Sequence, residues 1–266
     1  HLHGGETTEG AFDEAIRHSI TKMSHLHFVA APEYQKRVHQ LGENLQNIYL
    51  VGGLGVDAIH RLRLMRKIEL ERSLDFSFGK RNLLITVHPE TLEQNQASKD
   101  QIQELLTALE SLQDTKFIFT LPNADTDNIQ ISRMIKEFNQ QHPNSSKVFS
   151  SLGQVRYFST LKYVDAVVGN SSSGLTEAPS FKIGTINLGN RQSGRLKAHS
   201  VIDSDYSKNN ILASFKTLYS PSFQKKLQTS INPYGAPGAS KKILQTIKKV
   251  SIENIIKKRF YDFKVN

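Results

Sequence analysis

The sequence contains no cysteine. That excludes disulfides, thiolate nucleophiles and cysteine-ligated zinc. No apolar run reaches the roughly eighteen residues that a membrane-crossing helix needs. No membrane partner is therefore expected. No predicted strand leads into Gly-x-Gly-x-x-Gly or into a Walker A pattern, so the commonest nucleotide fingerprints are absent. Short repeats are absent too. No signal peptide is visible, and the lack of cysteine is compatible with a cytoplasmic location. Hydrophobic residues make up 38% of the chain, below the globular average. Ile, Leu, Val and Phe still suffice for a core.

What is present is a basic chain of 266 residues with a net charge of +9. That length suits one large α/β domain, or one domain plus part of another. The charge favours anionic partners. Much of the excess falls between Lys241 and Lys264 on an amphipathic helical pattern. A solvated helix face explains such a run better than a nucleic-acid site. No aromatic platform accompanies it, so no nucleic-acid partner is expected. The chain starts at His1, in the middle of what reads as a strand and loop. It is expected to be a fragment whose true N-terminus is missing.

Strand and helix patterns alternate. Strands are expected at Leu26–Ala31, Ile48–Val51, Leu83–Val87, Phe117–Leu121, Val148–Phe149, Ala166–Val168 and Ile183–Leu188. Helices are expected at Asp13–Ser24, Pro32–Leu41, Val56–Lys67, Asp100–Leu112, Ile129–Phe138 and Tyr157–Val164, and over most of the stretch after 195. In the first helix Ile16, Ile20 and Met23 share a face, and Asp13 is four residues from Arg17, as Glu14 is from His18. This alternation predicts βαβ units and a Rossmann-like parallel sheet.

The polar residues gather at the strand ends. His88, Asn123, Ser150, Ser171, Ser172 and Arg191 all follow predicted strands. In a parallel sheet these ends share one edge, where ligands bind. The stretch Val167–Pro179 is the clearest case. A strand stops at Gly169, three serines follow, and a helix start offers unpaired N–H groups to phosphate. Glu177 is placed to accept bonds from sugar hydroxyls. A second cluster opens the chain. Glu6 and Asp13 flank a glycine-containing loop, and two nearby carboxylates can divide acid and base duties. Helix capping and a bond to Arg17 compete for Asp13. His1 and His3 project the same way along a strand, but no ligand set has firm spacing, so no metal is expected.

These motifs carry a family resemblance. Residues 1–22 resemble the signature of the hydrolysing UDP-N-acetylglucosamine 2-epimerases of sialic acid biosynthesis. Gly169–Gly174 and Asn187–Arg195 are similar to two further motifs of that family, and His88-Pro89 and Pro122–Asp125 to two more. The resemblance implies a glycosyltransferase-B-type fold of two Rossmann-like domains facing each other across a cleft, the first of them incomplete here. Residues 1–55 would be the end of the first domain and 56–240 the UDP-binding second domain. Residues 241–266 would form a helical segment crossing back to the first. The implied substrate is a UDP-sugar, with no cofactor. His88, Asn123, Ser171, Ser172, Glu177 and Arg191 would contact UDP, and Glu6 and Asp13 would move protons. Arg191, His88 and the 169–174 loop would together bring positive charge and N–H donors to the leaving pyrophosphate.

The implied reaction turns UDP-N-acetylglucosamine and water into N-acetylmannosamine and UDP through a 2-acetamidoglucal. Alternatives are a hydrolysing 2-epimerase of a UDP-2,4-diacetamido-trideoxyhexose on the route to legionaminic acid, and a non-hydrolysing epimerase. Further off stand a glycosyltransferase and a nucleic-acid-binding module. A homo-oligomer is expected as the common case.

Overall fold

The computed structural model describes residues 1–9, 13–89, 95–122, 128–253 and 255–263. The chain divides into two compact units. The first holds residues 1–61, 193–196 and 232–266, and the second holds 62–192 and 197–231.

The first unit begins with α1 (Asp13–Met23), β1 (His27–Val29), α2 (Pro32–Gln40), β2 (Ile48–Leu50) and α3 (Leu54–Arg61). Pro32 starts α2 because its fixed φ suits a first helical position. β1 and β2 pair in parallel, and Leu2 bridges to Phe28 beside them. Val29, Ala31, Tyr34, Val38, Ile48 and Tyr234 form the core of this unit. The apolar face of α1 stays outside, with Ile16, Ile20 and Met23 exposed. Its inward side carries Glu14, Arg17 and the buried Thr21 instead.

The second unit runs through α4 (Lys67–Leu74), β3 (Arg81–Thr86), α5 (Asn95–Glu110), β4 (Thr115–Thr120), α6 (Asn128–Gln141), β5 (Ser146–Phe149) and α7 (Gly153–Leu161). It continues with β6 (Ala166–Gly169), α8 (Ser173–Thr176), β7 (Gly184–Leu188), β8 (Val201–Ser204), α9 (Lys208–Leu218) and α10 (Pro221–Thr229). Six strands form one parallel sheet in the order β5-β4-β3-β6-β7-β8. This is the doubly wound order, and its direction reverses between β3 and β6. Leu83, Ile85, Phe117, Phe119 and Val168 lead its core. The expected α/β class with parallel sheets is the one observed.

The last helix, α11 (Ala239–Lys249), belongs to the first unit. Its free N–H groups are capped from α3: Asp57 accepts from the amides of Gly238 (2.6 Å) and Ser240 (3.2 Å). α11 closes at Lys249, where Val250 turns extended.

Two local readings change. The single helix expected over 56–67 is two, α3 and α4. Between them the Met65 amide bonds Ser159 Oγ (2.9 Å) and the Arg66 amide bonds the Glu69 side chain (3.0 Å), so neither continues a helical ladder. β8 replaces part of the helical stretch expected after 195. It is a four-residue edge strand carrying Asp203 and Ser204, too short and polar to show an apolar pattern.

Candidate functional site

The sheet register aligns the strand ends of the second unit. Phe149, Thr120, Thr86, Gly169 and Asn187 are successive partners across it. The chain leaves the sheet just beyond this row, so His88, Ser150, Ser171, Ser172 and Arg191 all follow strands that end on the same edge. Asn123 lies outside the described residues. Gly169 has φ +131, and a Cβ there would collide with the Thr86 carbonyl. Only glycine lets β6 pass this close to β3.

Next to it, Asn170 is fully buried. Its side-chain oxygen accepts from the His88 amide (2.7 Å), and its side-chain nitrogen donates to the His88 carbonyl (2.8 Å). The loops after β3 and β6 are thereby tied at the point where the strand order reverses. The Asn170 carbonyl accepts from Arg191 (3.1 Å) and Gln192 (2.8 Å), which brings in the loop after β7.

A cleft of about 440 Å³ opens beside this junction. His88, Ser150, Ser151, Tyr157, Ser172, Ser173 and Glu177 are among its lining residues. Tyr157 donates to Ser173 Oγ at 2.7 Å, and burial pushes its phenol well up, so the proton stays on. Ser172 stands at the N-terminal boundary of α8 without a side-chain capping bond, and the single turn of α8 carries little of a long helix's dipole. An anion here would be held by individual N–H and hydroxyl donors and by nearby charge. Arg191, bonded to the Asn170 carbonyl, is the cation beside His88. Burial and then Arg191 lower the His88 pKa to about 4. His88 is therefore neutral in the free protein and can offer a ring N–H.

A pH dependence follows. His88 in the second unit and the buried His27 in the first both have pKa values lowered from 6.5 to about 4. For each, the unfolded chain takes up its proton first as the pH falls. Their contribution to stability is present above pH 6.5 and is lost between 6.5 and 4. Chemical denaturation across that window is expected to show a falling midpoint, and His88→Gln to flatten part of the fall. A midpoint that does not move contradicts both shifts.

In the first unit Glu6 is 4% exposed and sits in a cage of donors. Arg195 Nη1 lies 2.6 Å and Arg17 Nη1 3.9 Å from Oε2, and His3 Nδ1 lies 2.8 Å from Oε1. Burial alone would raise its pKa, but the His3 bond and the charges of Arg195 and Arg17 outweigh that and hold the carboxyl below its usual range. The loop is braced from α1. Glu14 accepts from the Thr8 amide (2.6 Å), and Arg17 donates to Thr8 Oγ1 (3.0 Å). Arg195 is braced through its neighbour Leu196, whose amide donates to the buried Tyr34 hydroxyl (3.2 Å); Tyr34 in turn bonds Tyr234 (3.1 Å).

Asp13 stands apart from this cage. It is the first residue of α1 and is exposed. Arg17, the partner that the competing reading gives Asp13, turns to Glu6 and Thr8 instead, while Glu14 and His18 do pair (3.0 Å). Among the described residues no group of three or more His, Asp or Glu side chains is arranged to hold a metal ion. No helix among them is long and apolar enough to cross a membrane. Asn170, Gln192, Arg195 and the two tyrosines were not singled out from sequence. The motifs 169–174 and 187–195 contained the first three, but no periodicity marks which member of such a run is structural.

Comparison with known proteins adds an independent finding. A family model described as UDP-N-acetylglucosamine 2-epimerase matches residues 1–248. A GDP/UDP-N,N'-diacetylbacillosamine 2-epimerase (hydrolyzing) of Campylobacter jejuni is 40% identical over 98% of the chain and 68% of its own length. The polysialic acid biosynthesis protein P7 of Escherichia coli is 41% identical over 98% of the chain and 66% of its own. The chain thus spans about two thirds of the length of these relatives. Among solved structures, the UDP-GlcNAc 2-epimerase of Neisseria meningitidis bound to UDP-GlcNAc superposes with a TM-score of 0.70 at 18% identity, over 94% of this chain and 69% of the other. At that identity the likeness concerns the fold.

Proposed function

Because this chain belongs to the UDP-N-acetylglucosamine 2-epimerase family, we propose that it acts in a hydrolysing 2-epimerisation of a UDP-sugar. UDP leaves from carbon 1 as a base takes the proton from carbon 2, giving a 2-acetamidoglucal. Water then adds at carbon 1 while carbon 2 is protonated from the opposite face. With UDP-N-acetylglucosamine as substrate, the products are N-acetylmannosamine and UDP.

The observation that carries this reading is the junction built on Asn170. It ties the loops after β3, β6 and β7 together at the switch point of the sheet, where a nucleotide binds in doubly wound folds. On this reading Ser171 and Ser172 hold the diphosphate, Arg191 offsets its charge, and the neutral His88 donates to it. Glu177 accepts from the ribose hydroxyls, and Asn123 contributes from the loop after β4. Donors aimed at charge that develops on the leaving group stabilise the transition state most. Glu6, already ionised, serves as a base or as a charge partner rather than as an acid. Asp13 takes the other proton transfer.

A second reading keeps the chemistry and changes the sugar. The Campylobacter relative carries a diacetamido sugar in its name, so UDP-2,4-diacetamido-trideoxyhexose is the competing substrate. The motifs that hold UDP and carbon 2 do not contact carbons 4 and 6, and do not separate the two. Incubating the intact protein with each sugar nucleotide and analysing the products decides it. Release of UDP with N-acetylmannosamine from UDP-N-acetylglucosamine alone supports the first reading, and turnover of the diacetamido compound alone supports the second. UDP release from neither overturns both.

A further inference from the structure

We propose that Lys258 is a positioning residue for the Glu6 loop, acting through α1. Its ammonium group donates to three backbone carbonyls, those of Thr21 (3.2 Å), Lys22 (2.8 Å) and Ser24 (2.6 Å). These lie in the last turn of α1 and just past it. Such carbonyls have no partner within the helix, and a cation there also meets the negative end of the helix dipole. Lys258 Nζ is also 2.9 Å from Glu43, a carboxylate only 2% exposed. Glu43 is further paired with Lys22 (2.7 Å) and His27 (3.0 Å). One side chain from the end of the sequence therefore closes a buried charge cluster and caps a helix.

The segment that delivers Lys258 is laid over the first unit as a strap. The Tyr261 amide donates to the Gly42 carbonyl (2.9 Å). Lys22 Nζ sits 4.4 Å from the centre of the Phe260 ring. Tyr261 and Phe263 each lie 4.6 Å from the His39 ring. The strap's side chains stay partly in water, with Phe260 63% exposed. The polar anchor of Lys258 holds it more than burial does.

α1 depends on such anchors. Thr21 is its one fully buried residue, and its apolar face is exposed, so little core packing fixes its position. At its far end Glu14 and Arg17 hold Thr8, and Arg17 faces Glu6. A helix fixed by polar contacts at both ends transmits a shift at one end to the other. Loosening the Lys258 end lets α1 slide or fray. Glu6 then loses the register of its guanidinium partner.

Lys258→Met keeps the stem and removes the ammonium. Hydrogen–deuterium exchange on this chain is expected to show amides of α1 and of Thr8 opening about tenfold faster, with the second unit's sheet unchanged. Lys258→Arg is expected to restore most of the protection. Faster exchange in α1 with Thr8 and Glu9 unchanged makes Lys258 a helix cap only and overturns the proposal. If Lys258→Met fails to fold, Phe260→Ala provides the milder test: the same two sites open faster, or the proposal falls. A kinetic arm rests on the epimerase reading. There kcat drops about tenfold while UDP affinity and KM hold, since the UDP contacts lie in the second unit. A fall in UDP affinity of the same size contradicts positioning through α1. If the unaltered protein turns over neither sugar nucleotide, the epimerase reading fails, and the exchange experiment still decides the role of Lys258.

Discussion

Glu6→Gln lowers turnover by about 10²–10⁴-fold or more and leaves UDP binding unchanged. The change removes the charge and proton-accepting capacity of a carboxylate while keeping its shape. In the free protein that carboxylate is ionised, because His3, Arg195 and Arg17 together outweigh the cost of burying it. The residues proposed to contact UDP belong to the other compact unit, so calorimetric titration with UDP is expected to return the affinity of the unaltered chain. The same substitution leaves two guanidinium groups, only 10% and 16% exposed, without their shared counterion. Removing one partner of a buried ion pair costs about 3–5 kcal/mol. The glutamine oxygen still accepts from Arg195, which places the expected loss of stability in the first unit near 3 kcal/mol. Product formation at the normal rate removes Glu6 from the chemistry. A normal denaturation midpoint contradicts the cage.

Asn170→Ala has the largest expected effect in the second unit. Its amide satisfies both backbone groups of His88, and it is fully buried. The truncation leaves a donor and an acceptor unpaired beside a cavity. Each such group costs about 1–3 kcal/mol, so a loss of about 2–4 kcal/mol is expected in denaturant unfolding. UDP affinity is expected to fall at least about tenfold, because the His88 loop loses the side-chain tie that aims it, while Arg191 keeps its bond to the backbone carbonyl of residue 170. Asn170→Asp separates geometry from charge. It keeps the acceptor for the His88 amide but loses the donor and places a negative charge beside the diphosphate. It is expected to bind UDP at least as poorly as the alanine variant while being less destabilised. Unchanged UDP affinity in both variants contradicts the assignment of this edge to the nucleotide.

The strand-end pattern was legible because it rests on local signals. An apolar run that stops at Gly169 marks a strand and its exit together, and a parallel sheet then places His88, Ser171 and Arg191 on one edge whatever the details of packing. The long-range partnerships were not legible. Glu6 and Arg195 are 189 residues apart, and a distance of that kind leaves no periodic trace. Helical spacing allowed Arg17 to pair with Asp13, yet a buried carboxylate attracts a guanidinium more strongly than an exposed one four residues away. Ile16, Ile20 and Met23 show how a correct period can mislead about burial. The stripe exists, but α1 turns its charged side to the loop that needs bracing. β8 was missed because four residues on a sheet edge require little apolar content.

On the proposed reading UDP is eliminated as the carbon 2 proton is removed, and that carbon is reprotonated from the other face. Running the reaction in deuterated water with UDP-N-acetylglucosamine or the diacetamido compound, whichever is turned over, tests this most directly. The expected result is one deuterium at carbon 2 of the released sugar, inverted configuration at that carbon, and one UDP released per sugar. Release of UDP with the carbon 2 proton retained and its configuration unchanged is simple hydrolysis, and it contradicts the account.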